Sequence, residues 1–268
     1  MSEYKLVVFD LDGTVLTQEF RLLPGTIKAI QEIRDLGFRV TVATGRSYDS
    51  AKPFLDQLEI DEPMVFSNGA VYDNPETGER EVISGIPLES ALIVLMLLPE
   101  FKISVKVHLA GGKLYKSNDT PWPDEGEHFE VGTVVPLLQA ELVEDPIKMV
   151  FYAEPDQIEA FEKRLTQVLG NKSNVRLFRS HERYVEMTNK NVSKGKAAKM
   201  LIEKMGLSSS EVIAIGDQEN DLEMIRDFAL GVVAGPGTEK LREVMDYQVP
   251  YPEDLGIEKL KDWLAAGC

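Results

Sequence analysis

Cysteine is almost missing from this chain, and basic residues are far outnumbered by acidic ones. The single cysteine is Cys268, so the chain offers neither an intrachain disulfide nor a cysteine-based metal site. Lysine and arginine number 29 against 45 aspartates and glutamates, which gives a formal net charge of −16. That charge argues against a general nucleic-acid or anionic-membrane binder, because phosphate groups would be repelled. An anionic ligand must therefore meet a local positive patch or a metal ion.

Long apolar runs are missing as well. The longest, ALIVLMLLP at 91–99, is far below the roughly 20 residues that a membrane-spanning helix needs. The N-terminal MSEYKLVVF carries an acidic residue and too short an apolar run for a signal peptide. We therefore expect a cytoplasmic protein.

The chain instead alternates short apolar runs with segments of helical periodicity. In the first 75 residues the apolar runs are 5–9, 38–43 and 63–67. Gly37 is suited to end the helix after the first run, and Ser47 is suited to cap the helix after the second. The same alternation returns near the C-terminus. It predicts an α/β fold, a Rossmann-like, doubly wound parallel sheet built from residues 1–80 and 188–268.

Residues 81–187 have a different pattern. The strand-like runs are 103–109, 147–153, 175–178 and 183–188. The helical stretches are 88–98 and 156–169. The polar segment 117–130 is typical of a long loop. The middle of the chain is therefore predicted to be an α+β domain inserted into the α/β domain.

The first apolar run ends in two carboxylates, in LVVFDLDGTVL at 6–16. Ligands of open α/β sheets bind outside the carboxyl ends of the strands. Asp10, Thr44, Asn68 and Asp217 each lie at or just beyond such an end in the predicted sheet. Four separate parts of the sequence are therefore expected to meet in one crevice.

Asp10 and Asp12, two residues apart on extended backbone, are expected to project to the same side. Such a pair repels unless a divalent cation lies between them, and Mg²⁺ suits carboxylate and phosphate oxygens. Asp10 could then act as a nucleophile and Asp12 as a general acid/base. A calcium loop is excluded because Val15 and Arg21 stand where it needs Gly and Glu. A plain turn stays open as the alternative.

Two further segments offer groups that could bind phosphate. In VATGRS at 42–47, the Thr44 hydroxyl and the Gly45 amide are natural donors to phosphate oxygens, although a loop with a helix cap at Ser47 explains the same letters. In NVSKGKA at 191–197, Lys194 lies in the first turn of a predicted helix, where the helix dipole favours an anion. The alternative for Lys194 is a solvated surface lysine.

Two more motifs complete the set of candidates. Asn68-Gly69 is a strong turn signal, and Asn68 is also a candidate donor on the substrate side. In AIGDQENDLEM at 214–224, the spacing of Asn220 and Asp221 brings both within reach of one site near Asp217. Three polar groups in one turn behind an apolar strand favour a site over a simple helix cap.

Together, the motifs DLDGT, TGR, SNG, VSKG and GDQEND, in this order and spacing, resemble the haloacid dehalogenase (HAD) superfamily of phosphatases, and its Cof-type branch with a type IIB cap in particular. The resemblance spans nearly the whole chain. It implies a HAD-like core with residues 81–187 as the α+β cap, and a phosphatase acting on a small phosphorylated metabolite, with nucleic acid and membranes not expected as partners. We expect a monomer or a homodimer.

The resemblance also implies roles for single residues. Asp10 is the expected nucleophile, Asp12 the general acid/base, and Asp217 an Mg²⁺ ligand together with the Asp10 side chain and the Asp12 backbone carbonyl. The expected phosphate-binding residues are Thr44, Gly45, Lys194 and Asn220. Asp221 is expected behind the metal ligands, and Arg46 and Asn68 on the substrate side.

The resemblance departs from the branch at one place and leaves other functions open. Segment 231–239 reads GVVAGPGTE where related chains carry GVAMGNA, so no ligand contact is expected there. Within the branch, a mannosyl-3-phosphoglycerate, sucrose-phosphate or phosphoglycolate phosphatase and a phosphomutase are alternatives. A receiver-like phospho-signalling module also uses Asp, Thr and Lys around Mg²⁺, but it is about half as long.

Residues of the inserted domain that could contact the rest of a substrate are His108, Lys148, Tyr152, Trp122 and His181.

Overall fold

The computed structural model describes residues 4–110, 112–118, 132–170, 174–181 and 183–267. Contacts divide the chain into two compact units. One, called here the core unit, comprises residues 1–81 and 193–268, and the other, the inserted unit, comprises residues 82–192. Most of the predicted loop at 117–130, together with Trp122, lies outside the described residues, as does the side chain of His181.

Strands and helices alternate along the chain. In order they are β1 (Leu6–Phe9), α1 (Pro24–Asp35), β2 (Arg39–Val42), α2 (Tyr48–Leu58), β3 (Met64–Phe66), β4 (Val71–Asn74), β5 (Glu79–Val82), α3 (Leu88–Leu97), β6 (Ser104–His108), β7 (Leu114–Lys116), β8 (Thr133–Val134), α4 (Leu138–Glu141), β9 (Lys148–Tyr152), α5 (Pro155–Leu169), β10 (Val175–His181), β11 (Tyr184–Asn189), α6 (Lys194–Lys204), β12 (Val212–Gly216), α7 (Leu222–Asp227), β13 (Leu230–Ala234), α8 (Glu239–Arg242), β14 (Tyr247–Val249) and α9 (Gly256–Ala265).

The core unit is built on a parallel sheet of strand order β14-β13-β12-β1-β2. Its central strands, β1 and β12, pair in register from Leu6 opposite Val212 to Phe9 opposite Ile215. Both strands are buried along their whole length, as expected where helices cover both faces of a parallel sheet. The predicted doubly wound α/β core is confirmed.

The predicted helix boundaries are also confirmed. The Ser47 side chain caps α2 by accepting a hydrogen bond from the Ser50 amide, and Ser193 caps α6 in the same way through the Lys196 amide. Gly37 follows α1 with a φ of 97°, the left-handed conformation that commonly ends a helix. These local signals position the loops that follow β2 and precede α6.

The third apolar run differs from the prediction. β3 joins the parallel sheet only through one isolated bridge, Ala43 opposite Val65, and its regular partner is β4 in a three-stranded sheet of order β3-β4-β5. The sharp turn at Ser67–Gly69 reverses the chain, so that β4 returns antiparallel along β3.

The inserted unit is the predicted α+β domain. Its six-stranded sheet has the order β10-β11-β9-β6-β7-β8, and one face is buried under helices α3 and α5. The core of this unit includes Phe151 of β9 and Phe161 of α5, whose ring centroids are 5.0 Å apart. Among the described residues of the whole chain, none of the helices has the length and apolarity to cross a membrane.

Candidate active site

The predicted site residues of the core unit follow strands that end at the same edge of the parallel sheet. Asp10 comes directly after β1, Thr44 two residues after β2, and Asp217 directly after β12. The three strands are parallel neighbours, so their carboxyl ends lie side by side. All three side chains are buried.

Lys194 is the central cation of this edge. Its ammonium group donates to Asp10 Oδ1 at 2.7 Å and to Asp221 Oδ1 at 2.6 Å, and its side chain is fully excluded from solvent. The alternative of a solvated surface lysine is therefore wrong. Burial alone would lower the pKa of Lys194, but the two adjacent carboxylates outweigh it and raise that pKa above its ordinary value.

Asp221 has both carboxylate oxygens occupied. Oδ1 accepts from Lys194, and Oδ2 accepts from the backbone amides of Asp217 and Gln218, each at 3.1 Å. These contacts close the turn between β12 and α7 around the Asp221 side chain. The residue therefore holds Lys194 and the turn in place.

Asp217 is different, because one of its oxygens lacks a partner. Oδ2 accepts from the Gln218 side chain at 3.1 Å, whereas the buried Oδ1 has no hydrogen-bond partner among the described residues. Burial raises the pKa of Asp217 to about 6, with the Gln218 hydrogen bond opposing the shift and the charge of Asp221 adding to it. An unpaired buried carboxylate oxygen is costly unless a cation binds it.

Gly13 explains why a glycine follows the two carboxylates of the DLDG motif. Its φ is 73°, and a Cβ atom built on it would lie 2.3 Å from Asp217 Oδ2. Any side chain at position 13 would therefore push the Asp217 carboxylate away. The glycine lets the loop after β1 lie directly against the loop after β12.

These carboxylates fit a divalent cation. Ligand atoms of Asp10, Asp217 and Asp221 all lie within 4.8 Å of one another. Three buried carboxylates surround one ammonium group, which leaves an excess of negative charge, and burial together with Asp221 raises the pKa of Asp10 against the opposing effect of Lys194. Oxygen ligands of this kind suit Mg²⁺. The unpartnered Oδ1 of Asp217 is the natural first ligand.

Asp12 has an environment unlike that of Asp10. Its carboxylate is partly exposed and pairs with Arg46, whose Nε and Nη2 lie 2.9 and 2.6 Å from Asp12 Oδ1. The guanidinium of Arg46, a predicted substrate-side residue, therefore lies against the Asp12 carboxylate. The side chain of Asp12 is thus separate from the buried carboxylate cluster.

The remaining candidates of the core unit lie in three connected loops. Thr44 Oγ1 accepts from the backbone amide of Arg46 at 3.1 Å, and the backbone amide of Asn68 donates to the Thr44 carbonyl at 2.9 Å. The Asn220 side chain donates to Asn68 Oδ1 at 2.9 Å. Gly45 faces the Asn68 amide group, which lies 3.1 Å from the position of a built Cβ. All four residues therefore surround one part of the sheet edge.

The described candidates of the inserted unit share one sheet. His108 of β6 lies opposite Lys148 of β9, and Lys148 forms a 2.6 Å ion pair with Glu186 of β11. The Tyr152 ring packs 5.2 Å from the Tyr184 ring, measured between centroids. These residues form a polar and aromatic face within their own unit.

The match to a protein family decides the class of this site. The haloacid dehalogenase-like hydrolase family matches residues 7–260, which include every candidate discussed above. The chain belongs to this family. The predicted HAD resemblance is thereby confirmed, and a receiver-like signalling module is disfavoured. The names of curated relatives, which are phosphatases, confirm the assignment as a HAD-type phosphatase.

Individual relatives of this HAD-like hydrolase carry phosphatase names. A Streptococcus pyogenes protein provisionally named a phosphatase is 30% identical over 272 residues, covering 97% of this chain and 98% of its own length. The 5-amino-6-(5-phospho-D-ribitylamino)uracil phosphatase YitU of Bacillus subtilis is 25% identical and covers 97% of both chains. The crystal structure of a haloacid dehalogenase-like hydrolase from Bacteroides thetaiotaomicron matches the fold with a TM-score of 0.87, at 23% identity over 97% of this chain and 99% of its own.

Sequence reasoning missed several residues that shape the site of this HAD-like hydrolase. Gln218 supports Asp217, Glu253 accepts from the Gln18 amide at 2.7 Å in the loop behind Asp12, and Phe20 and Phe54 contact Arg46. Gln218 could have been found from its place within GDQEND. The other three carry no sequence signal, because their roles depend on contacts between distant segments.

Proposed function

We propose that this protein is a Mg²⁺-dependent phosphatase that hydrolyses small phosphate monoesters through an aspartyl-phosphate on Asp10. The observation that carries the proposal is the buried Asp10–Lys194–Asp221 arrangement beside the unpartnered Oδ1 of Asp217. In this proposal Asp10 is the carboxylate nucleophile, Lys194 supplies a fixed positive charge, and Asp217 Oδ1 is a free metal ligand. Membership of a hydrolase family supports the same chemistry.

In the first half-reaction, an oxygen of the Asp10 carboxylate attacks phosphorus and forms a new P–O bond. The bond between phosphorus and the leaving-group oxygen breaks, and the carboxyl group of Asp12 gives its proton to that oxygen, which leaves as an alcohol. In the second half-reaction, the Asp12 carboxylate takes a proton from water while the water oxygen attacks phosphorus. The P–O bond to Asp10 breaks, and inorganic phosphate is released.

The surrounding residues hold the phosphoryl group. The Lys194 ammonium binds a nonbridging oxygen while keeping Asp10 oriented, and the Thr44 hydroxyl and the Gly45 amide donate to the other oxygens. Mg²⁺, when held by Asp10, Asp217 and the Asp12 backbone carbonyl, supplies positive charge that offsets the buried carboxylates and the phosphate dianion. Asn220 orients the phosphate from the start of α7.

We further propose that the substrate is a sugar phosphate or a similar small metabolite. The Bacillus subtilis relative is named for a phosphate monoester on a ribityl chain, which supports a polyhydroxylated substrate class. The proposal includes a cytoplasmic protein that works as a monomer or a homodimer.

The test is phosphate release from a panel of sugar phosphates, nucleotides and pyridoxal phosphate, measured with Mg²⁺ and with EDTA. We expect turnover with Mg²⁺, and its loss on addition of EDTA or in Asp10→Asn. Asp35→Asn, at the exposed end of α1, is the matched control and is expected to keep full activity. Circular dichroism establishes that both variants are folded.

Other outcomes separate the alternatives. Turnover of a single substrate in the panel would indicate a specialised phosphatase, and transfer of phosphate to a second hydroxyl without release would indicate a phosphomutase. Turnover that survives in Asp10→Asn would exclude the aspartyl-phosphate and with it the proposed mechanism.

A further inference from the structure

Arg46 is enclosed by four different contacts. Its guanidinium binds the Asp12 carboxylate and contacts two rings, with Cζ 5.2 Å from the centroid of Phe20 and 4.9 Å from that of Phe54. Its Nη1 also donates to the Ser50 carbonyl at 3.4 Å. Both ring distances are within the range of cation–π attraction. The ion pair, the two ring contacts and the hydrogen bond to Ser50 together restrict the orientation of the side chain.

The Phe20 ring is brought to Arg46 by a tight hairpin. The Thr17 and Arg21 backbones pair at 2.9 Å, and the Phe20 amide donates to the Thr17 carbonyl at 2.9 Å. Phe20 itself has a φ of 59° and is 50% exposed. A bulky residue in the left-handed region, with half of its ring in water, is unfavourable in isolation. Its contact with Arg46 gives this conformation a function.

The pairing leaves the two oxygens of Asp12 unequal. Oδ1 accepts from Nε at 2.9 Å and from Nη2 at 2.6 Å, whereas among the described residues Oδ2 accepts only from Nε, at 3.0 Å. Oδ2 thus keeps lone-pair capacity for a proton or a water molecule. Since Arg46 binds mainly Oδ1, Oδ2 is the oxygen left to move a proton.

We propose that Arg46 and Phe20 are positioning residues for the general acid/base: the contacts of Arg46 with Phe20 and Phe54 fix the Asp12 carboxylate so that its Oδ2 transfers the proton. This inference rests on the proposed phosphatase function. It assigns Arg46 to Asp12 rather than to the substrate phosphate. It also assigns a role to Phe20, an exposed residue outside every recognised motif.

The dependence of kcat/KM on the leaving group tests the proposal, because a purely structural role of Arg46 would not change it. An alkyl leaving group needs the proton of Asp12, whereas p-nitrophenolate departs readily without one. The kcat/KM value reports the steps through departure of the leaving group, so it isolates this proton transfer. The experiment therefore compares kcat/KM for ribose 5-phosphate and for p-nitrophenyl phosphate, using the full chain with saturating Mg²⁺.

In Arg46→Gln we expect kcat/KM to fall by about 10²-fold for ribose 5-phosphate and by less than about tenfold for p-nitrophenyl phosphate. Asp12 also activates water in the second half-reaction, so hydrolysis of the aspartyl-phosphate should be slow in this variant. With p-nitrophenyl phosphate, the variant should therefore release a burst of p-nitrophenolate close to one equivalent of enzyme. Arg46→Lys should recover part of the loss. Phe20→Ala should show the same bias towards the alkyl substrate with a smaller loss.

Matched controls come from the same unit. Arg39 forms a bidentate pair with Glu62, with contacts of 2.7 and 2.6 Å, so Arg39→Gln removes an equivalent pair from the far end of β2. Leu36 is 46% exposed, so Leu36→Ala controls for loss of an exposed apolar side chain. Both controls should leave the ratio of the two kcat/KM values unchanged.

Two results would overturn the inference. The first is an equal loss for both substrates in Arg46→Gln and Phe20→Ala. The second is a rise in KM for both substrates, with an equal rise in the inhibition constant of inorganic phosphate, because it would place Arg46 on the phosphate. Asp10→Asn, measured in parallel, distinguishes failure of the proposed function from failure of the inference. If Asp10→Asn keeps turnover, or the native protein turns over no substrate of the panel, the proposed function fails and the inference fails with it. If Asp10→Asn is inactive while the leaving-group bias is missing, only the inference fails.

Discussion

Lys194 and Asp221 form an ion pair of 2.6 Å in which both side chains are fully excluded from solvent. Such a pair contributes little net stability compared with an apolar pair, but breaking it leaves an uncompensated buried charge. In this protein, loss of the lysine would leave the carboxylates of Asp10 and Asp221 facing each other without a cation. The pair therefore couples the chemistry of the site to the stability of the core unit.

We expect Lys194→Met to lower the free energy of unfolding by about 3–5 kcal/mol and to abolish phosphatase activity. Urea denaturation and phosphate release measure the two effects. Lys204 is the matched control, because it also contacts two carboxylates, Glu79 and Glu81, but at the surface. Lys204→Met should keep activity and change stability much less. Equal destabilisation by the two substitutions would contradict the importance of burial.

Gly13→Ala should disturb Asp217, whereas Gly37→Ala should cost only backbone strain. Both glycines have positive φ, but nothing lies within 4 Å of a Cβ built on Gly37. We expect each substitution to cost about 1–2 kcal/mol through the left-handed conformation. Only Gly13→Ala should also weaken Mg²⁺ binding, measured by calorimetric titration, because the added methyl group displaces the Asp217 carboxylate. Unchanged Mg²⁺ affinity in Gly13→Ala would contradict this prediction, because it would show that the Asp217 carboxylate accommodates the methyl group without losing its position.

Removal of divalent metal should lower the thermal stability of the protein. A ligand that binds only the folded state stabilises it by about 2.7 kcal/mol at a concentration of 100 Kd. We therefore expect Mg²⁺ to raise Tm over EDTA-treated protein in differential scanning fluorimetry. Asp217→Asn should lose this rise, and Asp227→Asn, which alters a surface pair with Arg226, should keep it. A rise that is preserved in Asp217→Asn would place the metal elsewhere.

Glu211 should give the protein a measurable acid sensitivity. Its carboxylate contacts Lys5 and accepts from the Ser208 amide and hydroxyl, and these contacts lower its pKa to about 2. A carboxyl whose folded-state pKa is lowered stabilises the fold above its unfolded pKa, and the stabilisation is lost as the pH falls towards 2.

The test compares the Tm of native protein and Glu211→Gln at pH 7 and at pH 3.5. Native protein should have the higher Tm at pH 7, and the gap should narrow at pH 3.5. Glu243→Gln, at the exposed end of α8, serves as the control and should show a small gap that does not narrow. A gap for Glu211→Gln that widens on acidification would contradict the assigned sign.

Much of the fold could be predicted because its signals are local. The caps at Ser47 and Ser193 and the buried runs of β1 and β12 each depend on a few neighbouring residues, and the structure confirms them. The same local order predicted that Asp10 and Asp217 would lie at one edge of the sheet. The pairing of β3 with β4 was not predicted, because it depends on how the chain folds back at Ser67–Gly69; β3 also keeps a parallel bridge, Ala43 opposite Val65.

The sequence by itself determined which groups are present and, through the parallel order of the strands, that they meet. Only the tertiary structure decided which partner each group takes. Arg46 binds Asp12 across 34 residues of chain, and Asn220 binds Asn68 across 152. An arginine side chain can pair with any anion within its reach, so the rings and loops around Arg46 determine that it pairs with Asp12. The physical reason is that hydrophobic periodicity along the chain specifies helices and strands locally. The pairing of buried and half-buried charges depends instead on how elements far apart in sequence pack in three dimensions.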